Sequence, residues 1–212
     1  MEYFAPKSTC NLCNKEYTQR GLTKHIKSCI NKKIHDTKGG KYIYVVVQSS
    51  FNHDYFFHLL LAPTTTLSDL DAFLRNHWLE CCGHLSAFTF ERWGKEIPMS
   101  RKVNKILLPG KTLEYQYDFG STTELEIKCI AEVAVSIKER KKIMILSRNT
   151  QPVIPCDECG KYPATRICTA CQWEGEGWLC EKCASGHDCG EDMYFLPVVN
   201  SPRTGVCAYD GE

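Results

Sequence analysis

The chain has 212 residues, 43% of them hydrophobic and 24% charged, with a formal net charge of +1. That is the balance of a globular protein holding one ordinary domain or several small ones. No apolar run approaches the length of a membrane span, and Met1 to Cys10 lacks the charged-then-apolar layout of a secretion signal, so a cytoplasmic, unprocessed protein with no membrane partner is expected.

The small net charge hides an asymmetry. Residues 1–41 hold nine Lys/Arg against three Asp/Glu, residues 42–150 hold 13 against 12, and residues 151–212 hold four against ten. A basic head can meet phosphate, whereas an acidic tail repels it. Of the 14 cysteines, ten sit in metal-ligand spacing, three in the head and seven in the tail. This is the usage of a reducing compartment. Cys81, Cys82, Cys129 and Cys207 are left over.

The head opens with C-x2-C-x11-H-x3-C: Cys10, Cys13, His25 and Cys29. Thr18 to Cys29 reads as a short helix, which would present His25 and Cys29 at i and i+4 on one face. Tyr17 and Leu22 stand where a small zinc finger places its two core residues. The pattern resembles a two-Cys, two-His finger whose last His is replaced by Cys and whose inner spacer is one residue short. Roughly thirty residues cannot bury enough surface to fold unaided, and a structural zinc contributes on the order of 10 kcal/mol in such peptides. The basic residues around the finger, from Lys7 to Lys38, make nucleic acid the alternative partner, through residues 1–41.

Lys33 to Lys41, with Gly39-Gly40, reads as a polar hinge. Tyr42–Gln48 and Tyr55–Leu61 are strand signals, and Pro63 closes the second. Thr66 and Ser68 are credible N-caps for the clearest helix in the chain, along which Leu67, Leu70, Phe73, Leu74, His77 and Trp78 recur at helical spacing. His77 in that stripe is read as packed, not as a ligand. Leu85–Glu91 reads as a strand. Thr112–Tyr117 and Thr123–Ile130 alternate and pair as a hairpin across Asp118 to Ser121. Val133–Ser136 continues the second of these, and Ile143–Leu146 adds a short strand. The fold class is therefore α+β: a small mixed sheet with one prominent amphipathic helix, flanked by two small zinc-stabilised modules.

The run Tyr115-Gln-Tyr-Asp-Phe-Gly120, the Leu67-Ser-Asp-Leu70 helix start, Trp78 and the Gly83-His-Leu-Ser-Ala-Phe88 strand entry carry a resemblance. Residues 41–150 resemble the plasmid pRiA4b ORF-like family, also described as a transposon passenger of the TnpR type. The resemblance implies a compact α+β domain, mostly prokaryotic and functionally uncharacterised. That family commonly has Asp, Trp and His at alternate positions after the Tyr-Asp-Phe-Gly run. Here they are Ser121, Thr123 and Leu125, so no metal or acid–base role carries over from them, although Asp118, Gly120 and His84 match.

The polar stretch Lys138–Lys142 and then Ser147–Pro155 lead into the tail module, residues 151–212, just as residues 1–33 form the finger. Between Cys156 and Cys189 the tail spells C-x2-C-x8-C-x2-C-x8-C-x2-C-x3-H-x1-C. Eight ligands suit two tetrahedral zincs: Cys156, Cys159, Cys168, Cys171, Cys180, Cys183, His187 and Cys189. A cross-brace would give one ion Cys156, Cys159, Cys180 and Cys183, and the other Cys168, Cys171, His187 and Cys189. The order resembles B-box and MYND modules, with a tighter closing His-x1-Cys, so Cys207 could replace Cys189. Pairing neighbouring C-x2-C units in sequence is the second arrangement. Trp173 and Trp178 flank a hairpin between ligand pairs, where they read as the small module's core. Met193–Val199 reads as a closing strand, and Asn200 to Gly205 as a turn-rich loop.

No catalytic residue is assigned. Cys81-Cys82-Gly83-His84 reads as a buried Cys pair with a structural His, lacking the basic neighbour or helix N-terminus that would activate a thiol. Glu124 and Glu126 read as a charged outer face. No Gly-rich phosphate loop, His-Glu-x-x-His helix or Gly-x-Ser-x-Gly elbow occurs, and an enzyme using a cleft near His84 and Asp118 is the least favoured class. The expected function is a zinc-binding, non-catalytic adaptor with about three structural zincs per chain, meeting a protein partner.

Overall fold

In the computed structural model, which describes residues 7–137, 141–190 and 193–211, the head forms a ββα finger. Strands β1 (Lys7–Thr9) and β2 (Glu16–Thr18) pair antiparallel and lead directly into helix α1 (Gln19–Lys33). Leu22, Ile26, Cys29 and Ile30 give α1 one buried stripe, and Lys32 and Lys33 in its last turn suit the negative end of the helix dipole. The chain then passes without a hinge into β3 (His35–Ser49). Lys33–Lys41 is thus helix end and strand, not the expected flexible connector. Gly39 and Gly40 have a structural use there. His35 and Gly40 both face Val135, so the strand bulges between them, and a Cβ on Gly39 would overlap the Val135 carbonyl.

β4 (Phe56–Leu61) is followed by α2 (Leu67–Leu74), capped by Thr66 and Asp69 in a reciprocal pair of hydrogen bonds. Arg75–Leu79 widen into a π turn that brings Trp78 and Leu79 inward together. β5 (Ser86–Thr89), β6 (Thr112–Tyr117), β7 (Thr123–Val135) and β8 (Ile143–Arg148) complete a six-stranded sheet of order β5-β6-β7-β3-β4-β8. The α+β class holds, but every pairing in the sheet is antiparallel where a mixed sheet was expected. Of the bridge read at Lys138–Lys142, residues 138–140 lie outside the described residues.

The sheet is covered on both faces. Residues Ile43, Val45, Val47, Phe57, Leu59 and Leu61 pack on one side with Leu67, Leu70, Leu74 and Trp78 of the α2 segment. Their alternate neighbours Tyr44, Phe56 and Leu60 pack on the other with Leu22, Ile26 and Ile30 of α1. β4 is accordingly buried along its whole length, which is why it reads FFHLLL without polar alternation. Edge strand β8 also holds the finger through polar contacts: Asn11 N–H donates to Leu146 O at 2.8 Å and Ser147 Oγ donates to Thr9 O at 2.7 Å.

The tail builds a small three-stranded sheet of order β10-β9-β11 from β9 (Arg166–Cys168), β10 (Trp178–Leu179) and β11 (Phe195–Pro197), with the single turn α3 (Glu181–Ala184) beside it. Its buried cluster is small: Cys156, Leu179, Cys180 and Ala184, with Cys159, Cys183 and Phe195 against it. Trp173 lies outside this core, 79% exposed, contrary to the core placement read from its spacing. The aromatic sits on a 3-10 turn (Cys171–Glu174) that projects it outward. Glu124 also departs from expectation. It is buried, and Arg92 clamps both its oxygens at 2.7 Å, so it belongs to an ion pair rather than an outer charged face.

Candidate metal centres

Among the described residues, cysteine and histidine side chains gather in four groups, and within each group the ligand atoms lie within 4.8 Å of one another. The first is Cys10, Cys13, His25 and Cys29. The turn after β1 folds Asn14 N–H back on Cys10 O at 2.7 Å, and so aims two sulfurs at the face of α1 that carries His25 and Cys29. Cys13 Sγ lies 3.3 Å from His25 Nε2, and Tyr17 stacks on the imidazole with ring centroids 3.9 Å apart.

The tail ligands interleave. Cys156 and Cys159 meet Cys180 and Cys183, while Cys168 and Cys171 meet His187 and Cys189. This is the cross-braced division, and Cys189 rather than Cys207 completes the second set. The reason is topological. β9 runs between the two knuckles and pairs with β10, which carries Cys180 back beside Cys159, with the two sulfurs 3.9 Å apart. Cys168 Sγ then lies 3.4 Å from Cys189 Sγ, and Cys171 Sγ 3.4 Å from His187 Nε2.

The electrostatics of these sets fit a cation. In the tail, burial opposes ionisation of Cys156, yet backbone N–H groups of Cys159, Cys180 and Glu158 bring its thiol down to about 6. Burial likewise opposes Cys168, which the Cys171 N–H and the Cys189 thiol bring to about 7. Their neighbours move the other way: burial and the Cys180 thiol push Cys183 up, and the Cys168 thiol pushes Cys189 to about 12. In the finger, the Lys15 N–H lowers Cys13, whereas burial raises Cys29 to about 12. Without a cation, then, one thiolate in a set forms at its neighbours' expense. A thiophilic ion lets all of them ionise together. One set has four cysteines and the other two have three cysteines with a histidine, which are the donor sets of closed tetrahedral zinc sites.

The fourth group was not read from the sequence: Cys81, Cys82, His84 and Cys207. Cys82 and Cys207 are exposed and Cys81 is half-buried, which corrects the expected buried Cys pair. Cys82 Sγ lies 3.1 Å from His84 Nε2 and 3.3 Å from Cys207 Sγ. Cys129, the remaining cysteine, is buried in the sheet and joins none of the four groups.

The loop read as turn-rich, Asn200 to Gly205, brings Cys207 there and is largely buried. Ser201 Oγ donates to Trp78 O at 2.6 Å, and Asn200 exchanges hydrogen bonds with Asn149. Arg203 is 0% exposed and donates to Asp118 Oδ2 at 2.7 Å, to Ser121 O at 3.1 Å and to Thr123 Oγ1 at 3.1 Å. Burial works against ionised Asp118, but the Arg203 guanidinium holds its carboxyl below the ordinary value. Asp118 Oδ2 is 3.6 Å from His84 Nε2, yet Arg203 and the thiols occupy the two groups, so they do not stand as a free acid–base pair.

No protein-family model matches the chain, and no curated protein does. Among solved structures it is similar to the crystal structure of a protein of unknown function, MM3350 from Methanosarcina mazei Go1. The two are 12% identical with a TM-score of 0.44, over 57% of this chain and 75% of that one. No helix among the described residues is long and apolar enough to cross a membrane.

Proposed function

We propose that the chain is a zinc-dependent, non-catalytic adaptor, in which two ions fold the tail, a third fixes the ligand loop of the finger against its helix, and the assembled surface meets a protein partner. The observation that carries this reading is the convergence of twelve Cys and His ligand atoms into three closed, sulfur-rich sets. A catalytic zinc keeps one coordination position open, whereas four protein ligands build structure. The partner surface is suggested by exposed aromatics. Trp173 and Tyr194 line a cavity of about 670 Å³ together with Asp118 and Gly120, and beside them the exposed Phe119 lies against Trp93. Exposed aromatics with polar neighbours mark protein contacts. The kinship of residues 41–150 with the pRiA4b ORF-like family, a prokaryotic origin and a cytoplasmic location belong to the same proposal.

The test is native mass spectrometry of reduced, purified protein. Zinc should occupy these three sites, and each of Cys13→Ser, Cys156→Ser and Cys168→Ser should lose one ion. A tail that stays folded without metal overturns the reading. A partner enriched by the native chain should be lost with Trp173→Ala while the zinc count stands.

One observation favours a second reading, nucleic-acid binding. Arg20, Lys24 and Lys27 are exposed along the outer side of α1, opposite its buried stripe. Binding through them should weaken steeply with salt, and Lys24→Gln with Lys27→Gln should lower the slope by about two. No binding to DNA or RNA at low salt removes this reading.

A further inference from the structure

We infer that Cys81, Cys82, His84 and Cys207 form a fourth metal site, for a thiophilic divalent ion of the zinc class, whose ion latches the C-terminal segment to the central domain. The inference does not depend on the adaptor reading, because it rests on a different set of residues.

Zn–S bonds of about 2.3 Å and Zn–N bonds of about 2.0 Å in a tetrahedron put neighbouring ligand atoms roughly 3.5–3.8 Å apart. In this group Cys81 and Cys82 sulfurs are 3.5 Å apart, Cys82 and Cys207 sulfurs 3.3 Å, Cys207 Sγ and His84 Nε2 3.7 Å, and Cys82 Sγ and His84 Nε2 are closer, at 3.1 Å. The three sequence-read sets show contacts of 3.3, 3.4 and 3.9 Å. Hydrogen bonding does not explain the gathering. Thiols are weak donors and acceptors, and a single imidazole nitrogen cannot satisfy the sulfurs that crowd it.

Gly83 has φ +75°, which turns the chain so that Cys82 and His84 point back at one place. Cys207 has φ +57°, a conformation that side-chain-bearing residues seldom adopt and that needs something to hold it. Strained backbone at a ligand residue suits a bond that fixes it in place.

Arg75 Nη2 donates to His84 O at 2.7 Å and fixes the loop from α2. Arg203, fully buried, places Nη2 3.6 Å from Cys81 Sγ. Three thiolates and a neutral imidazole on a divalent ion leave one negative charge, which the guanidinium, shared with Asp118, offsets in part. The same Arg203 bonds Asp118, so the residue that anchors the C-terminal loop also borders the cluster. With Cys82 and Cys207 exposed, an ion here can exchange more readily than one held by buried Cys10 or Cys156.

The experiment counts metal and maps thiols on the full chain. Native mass spectrometry should give four zincs, one for each group. Cys82→Ser and Cys207→Ser should each retain three, and Cys129→Ser, which alters a thiol outside the groups, should retain all four. Brief chelation should remove the exposed ion first and raise hydrogen exchange in residues 200–209 before the other sites open. Iodoacetamide mapping of the unaltered protein needs no variant: Cys82 and Cys207 should be protected when metal is loaded and react after chelation. Rapid alkylation of both in loaded protein, or a mass lower by two hydrogens from a Cys82–Cys207 disulfide, overturns the inference. Loss of ions from the other three groups would count against the adaptor reading alone.

Discussion

The two ends of the chain carry similar ligand spacing but are held in different ways. The finger shares its core with the sheet: Leu22, Ile26 and Ile30 of α1 interlock with Tyr44, Phe56, Leu60 and Leu146. It is one layer of the central domain. The tail has a much smaller core, in which Leu179, Ala184 and Phe195 pack with its sulfurs and Ala164, Ile167 and Leu196 are also buried, and it joins the domain through Arg148, Asn149, Ser201 and Arg203. Ligand spacing alone therefore does not say whether an ion supports a fold or supplies nearly all of it.

The largest expected effect follows directly. Chelation should unfold the tail module, which loses a contribution on the order of 10 kcal/mol per structural zinc, while α1 keeps part of its order through the sheet. Tryptophan fluorescence with limited proteolysis would reveal simultaneous cleavage at both ends if this contrast is wrong. Next is the polar clamp. Arg203→Ala leaves buried Asp118 without its cation and should cost about 3–5 kcal/mol in denaturant unfolding, whereas Arg203→Met with Asp118→Asn should recover much of that. Ile26→Ala should then cost about 2–5 kcal/mol, and the loss should appear in unfolding of the central sheet. Were the finger an independent unit, the sheet would not register the change.

A smaller effect sharpens the picture of the shared core. His58 lies in it, with Nδ1 2.6 Å from Tyr44 Oη, and burial pushes its pKa down from 6.5 to about 3. Between those values the unfolded chain takes up a proton that the folded chain does not. Stability should thus fall as pH drops below 6.5, by up to about 1.4 kcal/mol per pH unit. His58→Gln should flatten that slope, measured on metal-loaded protein above the pH at which thiolate ligands release their ions. Smallest of all, Trp173→Ala should change stability by no more than about 0.5 kcal/mol, because the ring is outside the core.

Much of the architecture was legible from local pattern. The stripe from Leu67 to Trp78 with its Thr66 cap, the alternation of β6 and β7, and the C-x2-C knuckles each express a spacing that geometry demands. The cross-brace could be written down because its ligands lie close in sequence. Other features depend on contacts between distant segments. The apolar run FFHLLL marked a strand, but only the two packed faces show why it does not alternate. Arg203 sits among Ser, Pro, Thr and Gly, the composition of an exposed turn, and its burial depends on Asp118, 85 residues earlier. Cys207 meets Cys82 across 125 positions, beyond any motif. The available signal was a Cys-Cys-Gly-His run left over together with one remote cysteine.

The contrast between the two ends is tested most directly by hydrogen exchange with mass spectrometry on metal-loaded and chelated protein. Residues 156–189 should lose protection on chelation while β3, β4 and the buried side of α1 retain theirs. Equal loss in the finger helix and the tail, or protection of both without metal, would contradict it.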